Sequence, residues 1–379
     1  SAAAKPRAAG LKVEEHFLSN GMKLLLIPRH LSPTVAGGWV AHVGSVNERP
    51  GITGISHLFE HMMFKGSHAI GTRDYAKDER LIEEQERIQD QIREELSRMR
   101  AAQRRGELED MTKPEAKSER YKQLEARFDS LVVEQRANMI KNEFDLVLSK
   151  NGATGMNAFT SQDMTFYFET VPANKLELWF WMESDRLKNR VFREFYSERD
   201  VVYEERRRSV ESTPLGKFQV SFDAVFWDSS PYSWPVIGWP SDVAAITKAQ
   251  ADEYYSLYYA PQNLTAILVG DFDPKQALAL AEEYLDSIPA GKRPAPEMLT
   301  TETKLSKIND GFGIRTNASG TKDVRFYVKS GGAQKSVEAD LTGAVDLGDV
   351  VNALNVALSS AGLLADAQFS VSKTTNSIT

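Results

Sequence analysis

The sequence contains no cysteine among its 379 residues. This excludes a disulfide framework, a thiolate nucleophile and a thiolate zinc site, so a metal would have to be held by histidines and carboxylates. Long apolar runs are also missing. Those present are short segments such as 23–27 and 264–269, far below the roughly 18 residues a membrane-spanning helix needs. Positive charge is in deficit, with 46 Lys and Arg against 53 Asp and Glu and a formal net charge of -7, so no basic footprint for nucleic acid is present. The opening Ser1-Ala2-Ala3-Ala4-Lys5-Pro6 lacks an initiator Met and an apolar signal core and reads as a processed or trimmed start. With the missing cysteines it leans toward a bacterial periplasm, while cytoplasm and an organellar matrix stay open.

The composition, 41% apolar and 26% charged, is that of an ordinary folded protein, and the length suits two or three domains. Residues 1–12 read as a mobile arm. Asn20-Gly21 between apolar segments is a hairpin signal, and 35–43 reads as the next strand. Residues 55–64 are apolar at helical spacing and carry His57, Glu60 and His61. Residues 77–143 shift in composition, with 17 acidic and 15 basic residues over 67 positions. Leu81, Ile88, Ile92, Leu96 and Met99 fall on one helical face there. This predicts a charged helical hairpin that turns near 106–113 and restarts at the capping-box pattern Thr112-Lys113-Pro114-Glu115, running through Leu131 and Ile140. Such a hairpin is a solvated arm or a docking or gating element. Residues 152–171 read as paired strands, 174–187 and 195–210 as helices, 264–269 as a strand flanked by helices. Trp179, Phe180 and Trp181 are expected in the core; Trp227, Trp234 and Trp239 are expected to pack or to rim a chamber. Residues 291–307 are rich in Pro, Lys and Thr and read as a linker. Residues 308–379 form a small unit of two strands and a helix. The fold class predicted is α+β: a mixed or antiparallel sheet with helices packed on it over 13–290, a long inserted hairpin, and a small separate C-terminal unit.

On a helix, His57 and His61 stand one turn apart and can present imidazole nitrogens to one ion. Glu60 borders the same face and is placed to hydrogen-bond water at that ion and take its proton. A carboxylate inside an otherwise apolar helix is expensive to bury unpaired, which favours a metal site over two satisfied core histidines. Glu198 and Glu205 lie two turns apart on a second helix. Glu205 is assigned as the third ligand and Glu198 as a carboxylate that orients a histidine. His16, His30, His42 and His68 lack ligand spacing.

His57-x-x-Glu60-His61, the Glu198 to Glu205 spacing, the segment Gly155-Met156-Asn157-Ala158-Phe159-Thr160-Ser161 and the run Tyr258-Tyr259-Ala260-Pro261-Gln262-Asn263-Leu264 together resemble the pitrilysin family of metallopeptidases, which includes insulin-degrading enzyme and the mitochondrial processing peptidase. The likeness covers about 13–290 and is greatest to shorter, bacterial-type members. It implies one Zn2+ held by His57, His61 and Glu205, Glu60 as general base, Glu198 as a supporting carboxylate, and an edge strand at Asn157, Ala158 and Phe159 that pairs with extended peptide substrates. It also implies metalloendopeptidase activity on extended or unfolded peptides, with a non-catalytic peptide-binding or scaffold subunit as the alternative. His61 and Glu205 are 144 residues apart, roughly twice the family's usual spacing, and the hairpin accounts for the excess at little cost in loop entropy. The family builds a chamber from two halves and this chain carries the metal half, so a partner subunit, or a second copy in a homodimer, is expected to complete it. Residues 308–314 and 337–355 faintly resemble a repeat of flagellin-like proteins.

Overall fold

Asn20 and Gly21 close the first hairpin, with Gly21 at φ 90° in the left-handed region that a side chain disfavours. Strand β1 (Glu14–Phe17) thereby pairs antiparallel with β2 (Lys23–Pro28). The computed structural model describes residues 12–227, 230–292, 322–330, 333–365, 367–369, 371–372 and 377–378; all but the last residue of the expected arm at 1–12, most of the linker and the flagellin-like residues 308–314 lie outside them.

The main sheet adds β3 (Thr34–Ala41), β4 (Thr154–Thr160), β5 (Thr165–Pro172) and β6 (Leu264–Gly270). Its order is β1-β2-β6-β3-β5-β4, with β2 and β6 parallel and the remaining pairs antiparallel, the mixed one of the two arrangements expected. Alternation along β2 and β5 buries one face of the sheet. That face carries Trp39 and Tyr167, and Trp179 and Phe180 of a later helix pack against it, all four essentially inaccessible. Helix α1 (Ile55–Met62) carries the His57-x-x-Glu60-His61 motif. Its stripe Ile55, Leu58, Phe59 and Met62 is buried at spacings of three, four and seven, which turns His57, Glu60 and His61 to the other side.

Helix α2 (Tyr75–Arg104) and α3 (Glu119–Asn138) form the charged hairpin around Leu81, Ile88, Ile92 and Leu131. Two boundaries differ from the sequence reading. The second arm starts at Ser118, whose hydroxyl accepts from the Tyr121 N–H, because the Thr112 pattern is spent on a turn closed by Asp110 and a single 3-10 turn at Pro114–Ala116. The arm also ends at Asn138, so Ile140 is outside it; the Ile140 N–H is donated to Gly71 instead. Helices α4 (Glu143–Lys150), α5 (Leu176–Lys188) and α6 (Phe195–Arg206) follow. Within α5, Trp179 and Phe180 are core residues as expected, whereas Trp181 turns outward and is 37% exposed. A π-helical turn at Arg207–Glu211 leads into α7 (Pro214–Phe226), which buries none of its residues. Trp234 is buried and donates to the Ser45 carbonyl, while Trp227 is exposed. Short α8 (Pro240–Val243), then α9 (Lys248–Tyr258) and α10 (Pro274–Tyr284) complete the main unit. In the C-terminal part, strands β7 (Val324–Ser330) and β8 (Ala333–Ala339) pair antiparallel, and α11 (Leu347–Ser360) packs its Leu347, Val350 and Leu354 on β8.

The start of α1 is fixed by a buried acid. Glu48 accepts the Gly54 and Ser56 N–H groups, both at 2.8 Å, at the positive end of the helix. Burial pushes its pKa up to about 8, against the pull of those N–H groups, and the nearby Asp242 carboxylate adds to the rise. The Tyr254 hydroxyl also faces it. The unfolded carboxyl ionises near 4.5, so unfolding releases a proton between that pH and about 8, and this group's contribution to stability falls as pH rises through the window. Thermal unfolding at pH 5 and pH 8 is expected to show a stability advantage of wild type over Glu48→Gln that shrinks at the higher pH.

Candidate metal centre

Helix α1 packs across α6, and the two place four of the expected groups around one point. The Glu205 carboxylate lies 3.8 Å from His57 Nε2 through one oxygen and 3.5 Å from His61 Nε2 through the other. Ligand atoms of His57, His61 and Glu205 all fall within 4.8 Å of one another, the one such cluster among the described residues. Two imidazoles and a carboxylate at this separation fit a zinc-sized ion in a tetrahedral site with one position left open. Glu60 Oε2 is 3.9 Å from His57 Nε2 and accepts the Thr160 hydroxyl at 2.7 Å. Thr160 ends β4, so the edge strand and the motif helix meet at the carboxylate expected to act as base.

The electrostatics separate the two histidines. Burial, then the neighbouring His61 charge, lowers the His57 pKa to about 4, so this imidazole is neutral and available as a donor. Burial acts in the same sense on His61, but the Glu198 hydrogen bond and the carboxylates of Glu198, Glu205 and Glu60 outweigh it and raise the pKa. Glu198 Oε2 stands 3.4 Å from His61 Nδ1. An Nδ1–H directed there leaves Nε2 with its lone pair toward Glu205, the tautomer a metal ligand needs. Glu198 and Glu205 thus do share a face of α6, and Glu204 points away to Arg207.

Asn157, Ala158 and Phe159 lie on β4, the outermost strand of the sheet. Ala158 is buried, Phe159 is 42% exposed and stacks edge-on with Phe166, and the Asn157 side chain accepts its neighbour's N–H. A cavity of about 340 Å³ lies beside the centre between α1, β4 and the segment 139–144, lined by Phe64, Met139, Phe144 and Ala158 among others. Sequence reasoning did not single out Lys65, Glu194 or Thr160. Lys65 binds Glu198 and Glu194; its spacing of four from His61 along the helix direction was the available signal. Thr160 stood within the quoted edge-strand motif. Glu194 had none, because its role depends on a loop conformation.

Two family profiles match. The one described as Insulinase (Peptidase family M16) covers residues 24–98, which include the motif, and the one described as Peptidase M16 inactive domain covers 245–335. Among curated relatives, the zinc protease PqqE of Helicobacter pylori is 35% identical over 156 residues, 40% of this chain and 34% of the relative. The probable zinc protease PqqL of Escherichia coli is 24% identical over 317 residues, 80% of this chain and 27% of the relative. The chain therefore spans about a third of the length of these relatives. Among solved structures, a protease from Helicobacter pylori superposes with a TM-score of 0.54 at 21% identity, covering 76% of this chain and 53% of that one. The periplasmic protease PqqL from Escherichia coli gives 0.53 at 21% identity over 78% and 26%. No helix among the described residues is long and apolar enough to cross a membrane.

Proposed function

We propose, on the premise that the chain belongs to the M16 (insulinase) family of peptidases, that it is the metal-bearing half of a zinc endopeptidase acting on extended peptides. The convergence of His57, His61 and Glu205 on one point with Glu60 beside it carries this reading. The catalytic half is taken as 13–290 with the insertion at 77–143, followed by the linker 291–307 and a separate unit at 308–379.

His57, His61 and Glu205 would hold the ion. Zinc, when bound, supplies Lewis acidity that brings water to a pKa of about 7 and polarises a carbonyl. The chain's own residues do the rest. Glu60 takes the proton of the attacking water, held toward the site by the Thr160 hydroxyl on its Oε2, and returns it to the departing amine, so the C–N bond breaks with no net proton change. Glu198 keeps His61 in the ligating tautomer. The free edge of β4 at Asn157, Ala158 and Phe159 aligns a peptide by main-chain hydrogen bonds, which makes the enzyme sensitive to extension of the substrate more than to its side chains.

The partner is expected to cover α7. Leu215, Phe218, Phe222, Val225 and Phe226 on this helix are all exposed, Leu215 and Val225 at 80% each, and Phe218, Phe222 and Phe226 stack in a row. An apolar ladder of this kind next to the ligand helix fits a second half of the chamber, from another subunit or another copy. Phe218→Ser with Phe222→Ser is expected to weaken that association at least tenfold in sedimentation while leaving zinc bound. The second reading, a peptide-binding subunit that does not cut, draws on the match at 245–335 to a profile described as inactive. Cleavage of a quenched, extended peptide, with and without a chelator, tests between them. Chelator-sensitive cleavage supports the hydrolase; binding of the peptide without cleavage, in the assembled complex, supports the scaffold.

A further inference from the structure

We propose that the inserted hairpin braces the metal centre through Arg136, Glu194 and Lys65, which act as positioning residues for Glu198 and His61. The inference rests on the reading of His57, His61 and Glu205 as metal ligands.

A chain of ion pairs runs from the end of α3 to the ligand. Arg136 Nε donates to Glu194 Oε1 at 3.1 Å, and its Nη2 reaches Ser197 Oγ at 3.3 Å. The other oxygen of Glu194 lies 3.3 Å from Lys65 Nζ, which is 2.5 Å from Glu198 Oε1. Glu198 then meets His61 Nδ1 through its remaining oxygen. Isolated surface pairs contribute little. Here, however, the inner three side chains are sheltered, at 21% exposure for Lys65, 17% for Glu194 and 14% for Glu198, so each depends on the next for its compensation. Without Lys65 the carboxylates of Glu194 and Glu198 would face each other with no cation between them, and Glu198 would be driven off His61.

The backbone supports the same assignment. Glu194 sits at φ 54° and ψ 26°, immediately before α6, in a conformation that costs a side chain energy and that glycine adopts freely. The two-sided hold of Arg136 and Lys65 on its carboxylate accounts for a strained residue at this place. Because the outer anchor belongs to α3, the 67-residue insertion contributes to the geometry of a metal cluster to which it supplies no ligand.

The test uses the full chain and reads zinc affinity by competition with a chromogenic chelator, together with the absorption spectrum of the cobalt(II)-substituted protein. Lys65→Met and Glu194→Gly are expected to weaken zinc binding about 10- to 100-fold and to alter the cobalt spectrum. Glu194→Gly relieves the backbone, so the fold is retained. Arg136→Ala is expected to weaken zinc binding about two- to fivefold in wild type, with Arg136→Lys restoring it, and to have no further effect once Glu194 is glycine. Arg127→Ala, which breaks an exposed pair with Glu84 inside the hairpin, serves as the control and is expected to change nothing. Wild-type zinc affinity in Glu194→Gly and Lys65→Met would overturn the brace while leaving the metal site intact. Absence of zinc binding by the wild type would overturn both.

Discussion

Replacing Glu60 with Gln is expected to lower peptide cleavage by about 10²- to 10⁴-fold, the range a positioned general base contributes, while zinc stays bound. The carboxylate is 3.9 Å from a ligand nitrogen of His57 and lies outside the His57, His61 and Glu205 cluster. Gln retains an oxygen to accept from Thr160, as Glu60 does now at 2.7 Å, so the helix and the edge strand keep their junction. What is lost is the capacity to take a proton, an interaction used in the transition state. kcat and kcat/KM should therefore fall together, with KM little changed. Cleavage within about tenfold of wild type would remove Glu60 from the role of base. Loss of zinc from the variant would make it a ligand.

Arg193→Met is expected to produce the largest loss of stability. Arg193 and Asp78 are both fully buried and paired, and the guanidinium also donates to the carbonyls of Lys65, Ser67 and Ile70. Asp78 belongs to α2 and receives a second hydrogen bond from Gln135 of α3. Arg193 thus ties the turn after α1 and the segment before α6 to the root of the hairpin. Removing it strands the Asp78 carboxylate and three carbonyls, a cost of about 3–5 kcal/mol, or on the order of 10 °C in Tm for a unit of this size. The double variant Arg193→Met with Asp78→Leu should recover much of that loss, because no buried charge is then left uncompensated. A drop of less than about 1 kcal/mol for the single variant would mean that water reaches Asp78 and the pair is not sequestered.

Much of the site was legible because its chemistry is local. His57, Glu60 and His61 lie within five residues of one helix, and an apolar stripe told which way that helix would face. Glu205 was legible from a two-turn spacing to Glu198, although nothing local told that α6 would cross α1. The strands followed from alternation and from Asn20-Gly21, whereas the parallel pairing of β2 with β6, which makes the sheet mixed, joins segments about 240 residues apart and has no local signal. Illegible were the interactions that join distant segments. Arg193 with Asp78, and Arg136 with Glu194, span 115 and 58 residues, and a charged residue in a charged run carries no mark of its partner. The restart of α3 was misplaced for a related reason: Thr112 and Ser118 are both capping residues, and side chains elsewhere decided which one caps. Trp181 was misplaced because an apolar residue beside two core residues looks like core, whereas its rotation about α5 points it to solvent.

The claim on which the rest depends is that three side chains hold one zinc ion. Zinc bound per chain, measured after dialysis against limiting zinc for wild type, His57→Ala and Glu205→Ala, tests it most directly. The account predicts one zinc in the wild type, retained through dialysis, and affinity reduced by orders of magnitude in each variant. A wild type that retains no stoichiometric zinc, or variants that bind it as tightly as wild type does, would contradict the metal centre and the peptidase proposed from it.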